Sequence, residues 1–125
     1  MVYLYKEEIV LLLRRVLQTI QTIEQRNQSI HSVQDYLLTE NGMEKLDAAY
    51  MLIQTIGENI KTIDERSKGK LLAQYPEIPW KRVIRMRDYI SHHYDGVDAD
   101  VVFETIKNNL PPLFDTVKRI LADIQ

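Results

Sequence analysis

Apolar residues return at steps of three and four along almost the whole chain. Ile9, Leu12, Leu13, Val16, Ile20 and Ile23 form the first such stripe, which predicts a helix of about six turns with one face against a core. Gln25 to Ser32 interrupt the pattern; a short helical piece is expected over Val33 to Thr39, and Asn41-Gly42 reads as a turn. Leu46, Ala49, Tyr50, Ile53, Ile56, Ile60 and Ile63 carry the clearest stripe and predict a long second helix from about Gly42 to about Arg66. Gly57 lies in its middle, where glycine costs about 1 kcal/mol relative to alanine, and a close helix crossing would explain it. Pro76 and Pro79 end the next connection, with Pro79 suited to a first turn, so another helix is expected from about Pro79 to His93. Asp95-Gly96 stops it, Asp98 caps the next, and Pro111-Pro112 separates that one from a last helix ending near Ile124. No stretch alternates with the period of a strand for long, and no repeat appears. The expected fold is all-α, an antiparallel bundle of four to five main helices.

Composition narrows the picture. A chain of 125 residues that is 45% apolar suits one domain, over 1–125, with a modest core. The absence of cysteine excludes disulfides and thiolate metal sites and suits a reducing compartment. The opening Met-Val-Tyr-Leu-Tyr-Lys-Glu-Glu carries acids where a signal peptide would be basic, and no apolar run approaches the roughly 20 residues that span a bilayer. A soluble cytoplasmic protein with no membrane association is expected. Its net charge of -2 argues against indiscriminate coating of nucleic acid, so any RNA contact must be local. Lys81, Arg82, Arg85 and Arg87 offer such a locality; the plainer account of that run is a solvated helix face.

Candidate chemistry is concentrated in Arg87-Asp88-Tyr89-Ile90-Ser91-His92-His93-Tyr94. An arginine can hold a phosphate through forked hydrogen bonds, and a histidine can move a proton near neutral pH; cutting RNA needs both. On a continuous helix Arg85, Asp88 and His92 fall on one stripe, and Arg87 and Tyr94 on an adjoining one. Asp88, one turn before His92, is placed to orient its imidazole and favour the charged form. Arg87 and His92 stand about 140° apart around the axis, so either the long arginine reaches around or a second subunit contributes. His93 points about 100° from His92, which rules out the i, i+4 metal pair and leaves it structural or peripheral. No metal ligand set and no cofactor motif is found.

The spacing Arg87-x4-His92-x-Tyr94 resembles the signature of the HepT toxins, a branch of the HEPN helical ribonucleases. The likeness extends to Ile56-Gly57-Glu58 in the second helix, to Tyr75-Pro76-Glu77-Ile78-Pro79-Trp80 before the motif and Tyr94-Asp95-Gly96-Val97-Asp98 after it, and to Asn109-Leu110-Pro111 before the last helix. The resemblance implies a HEPN-like bundle acting as a homodimer, with arginine and histidine from both copies lining one cleft. It implies a metal-independent endoribonuclease in which the ribose 2'-hydroxyl attacks, His92 moves protons and Arg87 stabilises charge on the phosphate. It further implies a toxin whose partner is a small nucleotidyltransferase antitoxin that transfers adenylyl groups to Tyr94. Such a group would add negative charge and bulk beside the site; the plainer role of Tyr94 is packing at a helix end. The alternative function is a catalytically silent HEPN-type partner that binds the nucleotidyltransferase or a nucleotide.

Other residues have plainer expectations. His31 sits in a polar break without an evident role. Asp95, Asp98 and Asp100 imitate the start of a calcium loop with the wrong spacing, so capping is the better account. Trp80 and Tyr75 are able to stack on bases, yet aromatics beside helix starts usually belong to a core or an interface.

Overall fold

The computed structural model describes residues 5–86 and 97–125. Its helices are α1 (Lys6–Arg26), α2 (Gln34–Leu37), α3 (Glu40–Arg66), α4 (Trp80–Ile84), α5 (Ala99–Glu104) and α6 (Leu110–Ile124). A 3-10 turn, Leu72–Gln74, precedes α4, and a π turn, Thr105–Asn109, joins α5 to α6. The described residues contain no strand, and the all-α bundle expected from the periodicity is what forms.

The two long stripes meet each other. Ile9, Leu13, Val16, Ile20 and Ile23 of α1 are fully buried, as are Ile53, Ile56, Ile60 and Ile63 of α3 and Leu110, Val117 and Ile120 of α6. Burial of each such side chain contributes roughly 1.5–3 kcal/mol, so this seam dominates the favourable side of folding. Helices α1 and α3 run antiparallel, since Arg66 at the end of α3 donates to Glu8 in the first turn of α1 at 3.0 Å. The same guanidinium lies 5.2 Å from the centre of the Tyr5 ring.

The polar break after α1 is a built corner. Asn27 is buried, donates its Nδ2 to the Ile23 carbonyl at 2.7 Å and accepts the Tyr36 hydroxyl at 2.7 Å. That phenol has no exposed surface, and burial pushes its pKa up to about 12. The helical piece expected over Val33 to Thr39 shortens to Gln34–Leu37.

Two boundaries differ from expectation. Asn41-Gly42 forms no turn: Thr39 is the N-cap of α3, its Oγ1 accepting from the Gly42 amide at 2.9 Å, so both residues lie in the first helical turn. Gly42 is needed for proximity instead, because a Cβ there would stand 2.1 Å from the Asp35 carbonyl oxygen. Pro111-Pro112 likewise does not separate two helices. The Leu110 amide donates five residues back to the Thr105 carbonyl, and the prolines occupy the first turn of α6. Lacking N–H groups, they leave the carbonyls before them without α-type partners, and the chain absorbs this as one π turn while staying helical.

Candidate functional site

The connection leading to α4 is tied to α6 by side chains. Tyr75 is buried and donates its hydroxyl to Asp123 at 2.6 Å, while Trp80 donates its indole N–H to the Tyr75 carbonyl at 2.8 Å. Both aromatics therefore belong to the core, as expected. Arg119 pairs with Glu77 and lies 5.1 Å from the centre of the Tyr75 ring. A hydrogen bond from its own backbone amide, together with Arg119, holds the Glu77 carboxyl below its ordinary value, against some desolvation.

Pro79 stands at the N-cap of α4, and the short helix splits its residues by face. Trp80 and Val83 are buried; Lys81, Arg82 and Arg85 are exposed. The expected uninterrupted helix from Pro79 to His93 is not what forms. It stops at Arg85, whose backbone takes φ -97° and ψ 14°, before helical geometry resumes at Met86. No proline or glycine lies there to break it. The break falls at the crossing with α3, where a Cβ on Gly57 would stand 3.1 Å from the Val83 carbonyl oxygen and 3.4 Å from that of Ile84. The close crossing expected at Gly57 is thus present.

Arg87, Asp88, His92, His93 and Tyr94 lie outside the described residues, as does the Asp95-Gly96 stop. What is described are the two ends that hold them. Met86 is buried on one side; on the other Val97 is half-buried and Asp98 caps α5, accepting the Val101 amide at 3.2 Å. That cap is as expected. His31 is exposed, and only its backbone amide is engaged, by the Asp35 carboxylate at 2.7 Å.

Two hollows flank α4. A basic cleft of about 370 Å³ is formed by Pro79, Trp80, Lys81, Arg82 and Arg85. A larger groove of about 650 Å³ lies between the α4 region and the α5–π turn–α6 segment, and Met86 lines it. The expected RNA-contacting trio thus shares one surface, with Arg82 on the boundary of both hollows. Among the described residues no group of three His, Asp or Glu side chains is placed to hold a metal, and no helix is long and apolar enough to cross a membrane.

The pairs Asn27–Tyr36 and Glu77–Arg119 were not foreseen. They join residues nine and 42 apart, beyond the reach of helical spacing.

Known proteins with similar sequences bear ribonuclease names. A Thermococcus cleftensis protein named "Probable ribonuclease HepT" is 39% identical over 66 residues, which are 53% of this chain and 56% of that one. A Methanocaldococcus jannaschii protein named as a "Putative RNase" is 36% identical over 78 residues, 62% of this chain and 61% of that one. Another from the same organism, named "Gamma-glutamylcyclotransferase and putative RNase", is 28% identical over 119 residues, 95% of this chain and 50% of that one. The chain thus spans between half and about three fifths of these relatives. No solved structure matches it. Since the match to the family covers residues 16–120, the chain belongs to the ribonuclease HepT-like family.

Proposed function

We propose that this protein is a metal-independent endoribonuclease of the toxin type, acting as a homodimer. The observation that carries the reading is Arg87-x4-His92-x-Tyr94 in a member of the ribonuclease HepT-like family. Neutral His92 takes the proton of a ribose 2'-hydroxyl as that oxygen attacks phosphorus. The bond from phosphorus to the 5' oxygen breaks, and the leaving oxygen takes a proton from the protonated His92 of the partner subunit. The products are a 2',3'-cyclic phosphate and a free 5'-hydroxyl. Arg87 neutralises charge that grows on the phosphoryl oxygens, and Asp88 orients His92. Proton transfer by a positioned group is worth roughly 10²–10⁴-fold, with several kcal/mol more from phosphate stabilisation. Lys81, Arg82 and Arg85 hold neighbouring phosphates.

The partner antitoxin is a nucleotidyltransferase that adenylylates Tyr94, placing a negative phosphodiester and a base two residues from His92. Charge repulsion and occupied volume then silence the enzyme. The test incubates purified protein with total RNA in the presence of chelator, beside His92→Ala and Arg87→Ala. Fragments bearing cyclic phosphate from the wild type alone are expected. RNA left equally intact by all three proteins refutes catalysis and favours a silent partner. Intact mass after coexpression with an active nucleotidyltransferase tests Tyr94, and an unchanged mass removes the modification.

A further inference from the structure

The larger groove is chemically unlike the basic cleft beside it. Asp100 and Glu104, one turn apart on α5, line it, as do Asn108 and Asn109 of the π turn. Glu104 accepts the Asn108 amide at 2.8 Å, which orients both groups. Glu77 also lines the groove but is paired with Arg119. Arg82 is the only cation among the lining residues that are described. Among the described lining residues acidic groups outnumber the single arginine, which disfavours a phosphate there. Pro79, Val83, Met86 and Pro112 add apolar surface to its lining. At about 650 Å³ it has room for a nucleoside.

Such a surface fits an uncharged planar group rich in hydrogen-bond donors. Among nucleobases, only the Watson–Crick edge of guanine sets two donors side by side, the N1–H and the N2 amino group. A carboxylate accepts that pair in a bidentate manner, and the Asn109 amide can donate to O6. Adenine and cytosine offer one donor beside an acceptor on that edge, and uracil a donor between two acceptors. Location supports the same occupant. Met86 lines the groove and is followed in the chain by Arg87, while Arg82 belongs to both hollows, so a strand whose phosphates follow the basic cleft can drop a base into the groove.

We propose that this groove is a nucleobase pocket that selects guanine next to the cleaved phosphate, with the Asp100 and Glu104 carboxylates as the reading groups. The placement beside a cleaved phosphate rests on the ribonuclease reading; the selection of guanine does not. Both carboxylate residues are exposed, so Asp100→Asn and Glu104→Gln leave the core untouched.

Ligand-detected NMR titration of the intact protein with guanosine, adenosine, cytidine and uridine provides the test. Guanosine is expected to bind about tenfold or more tightly than uridine, because a bidentate base contact discriminates by about that much. The preference is expected to shrink in one or both variants. Equal affinity for the four nucleosides, a preference for another base, no binding of guanosine, or full preference retained by both variants overturns the proposal. Cleavage of oligoribonucleotides that differ at one base then separates the two readings. Protein that selects guanosine but leaves every RNA intact sinks the nuclease reading alone, whereas protein that cuts without regard to base and shows no guanosine preference sinks only the pocket.

Discussion

Replacing Gly57 by valine tests the crossing on which the position of α4 depends. A Cβ at residue 57 would stand 3.1 Å from the Val83 carbonyl oxygen and 3.4 Å from that of Ile84, both backbone atoms. Alanine needs the neighbour to retreat by only a few tenths of an ångström, and it recovers up to about 1 kcal/mol of helix propensity, so Gly57→Ala is expected to stay within about 1 kcal/mol of wild type. Valine adds two methyl groups beyond that Cβ, in a stiff rotamer, on a contact already tight. Its own helix propensity is no worse than that of glycine, so any loss must come from the crossing. Overpacking of this kind costs about 1–3 kcal/mol, which at this chain length lowers Tm by roughly 4–12 °C. Thermal and urea unfolding followed by circular dichroism at 222 nm measures both variants. A valine variant as stable as the alanine one would show that α3 and α4 do not press together at this point.

Further predictions concern the buried corner, the α5 cap and the basic cleft. Tyr36→Phe leaves the Asn27 side-chain oxygen buried without its donor and is expected to cost about 1–3 kcal/mol in urea unfolding at pH 7. The folded pKa of Tyr36, about 12, lies above the ordinary 10.0, so the protonated form is favoured by folding. Its contribution is complete below pH 10 and is lost as pH rises toward 12, by about 1.4 kcal/mol per pH unit; a pH profile equally steep in Tyr36→Phe would refute this. Asp98→Ala removes the cap on the Val101 amide and should cost about 1 kcal/mol, read by the same unfolding assay, with Asp98→Asn largely restoring it. Lys81→Ala and Arg85→Ala should each weaken RNA binding evenly across sequences and reduce the slope of log affinity against log salt by about 0.7, and an unchanged slope removes that residue from the phosphate contacts.

Much of the bundle was legible because burial on a helix leaves a periodic trace. The buried isoleucines of α1 and α3 lie on the two stripes read from spacing, and the packing role of Gly57 followed from the cost of glycine inside a helix. Where the reading failed, the cause was tertiary. Asn-Gly is a frequent turn, but glycine serves equally where two backbones approach, and Gly42 does the latter against the Asp35 carbonyl. Two successive prolines usually end a helix; here the bonding shifts by one residue, from Thr105 to Leu110, and the helix continues. The break at Arg85 has no local signature, since it lies where α4 meets α3. That break also limits what helical-wheel geometry says about the site. Arg85 has an irregular backbone, and the Asp88 and His92 expected on its stripe lie outside the described residues.

The ends of the motif segment are secured by contacts remote from it in sequence, and this bears on how variants should be interpreted. Upstream, Tyr75–Asp123 and Glu77–Arg119 join the connection before α4 to the last helix, Trp80 bonds that connection to the start of α4 through the Tyr75 carbonyl, and Gly57 admits α4 against α3. Downstream, Asp98 caps α5, which runs through the π turn into that same last helix. Both ends of 87–96 are therefore referred to α6. Asp123→Asn keeps a side-chain oxygen that can accept the Tyr75 hydroxyl, whereas Tyr75→Phe removes the donor and leaves the ring. If the anchor positions the motif and does more than stabilise the fold, Tyr75→Phe should lower the rate of RNA cleavage at temperatures where circular dichroism finds it fully folded, whereas Asp123→Asn, with Tyr75 intact, should retain most of the wild-type rate. A cleavage rate that follows only the folded fraction would assign the anchor to stability alone.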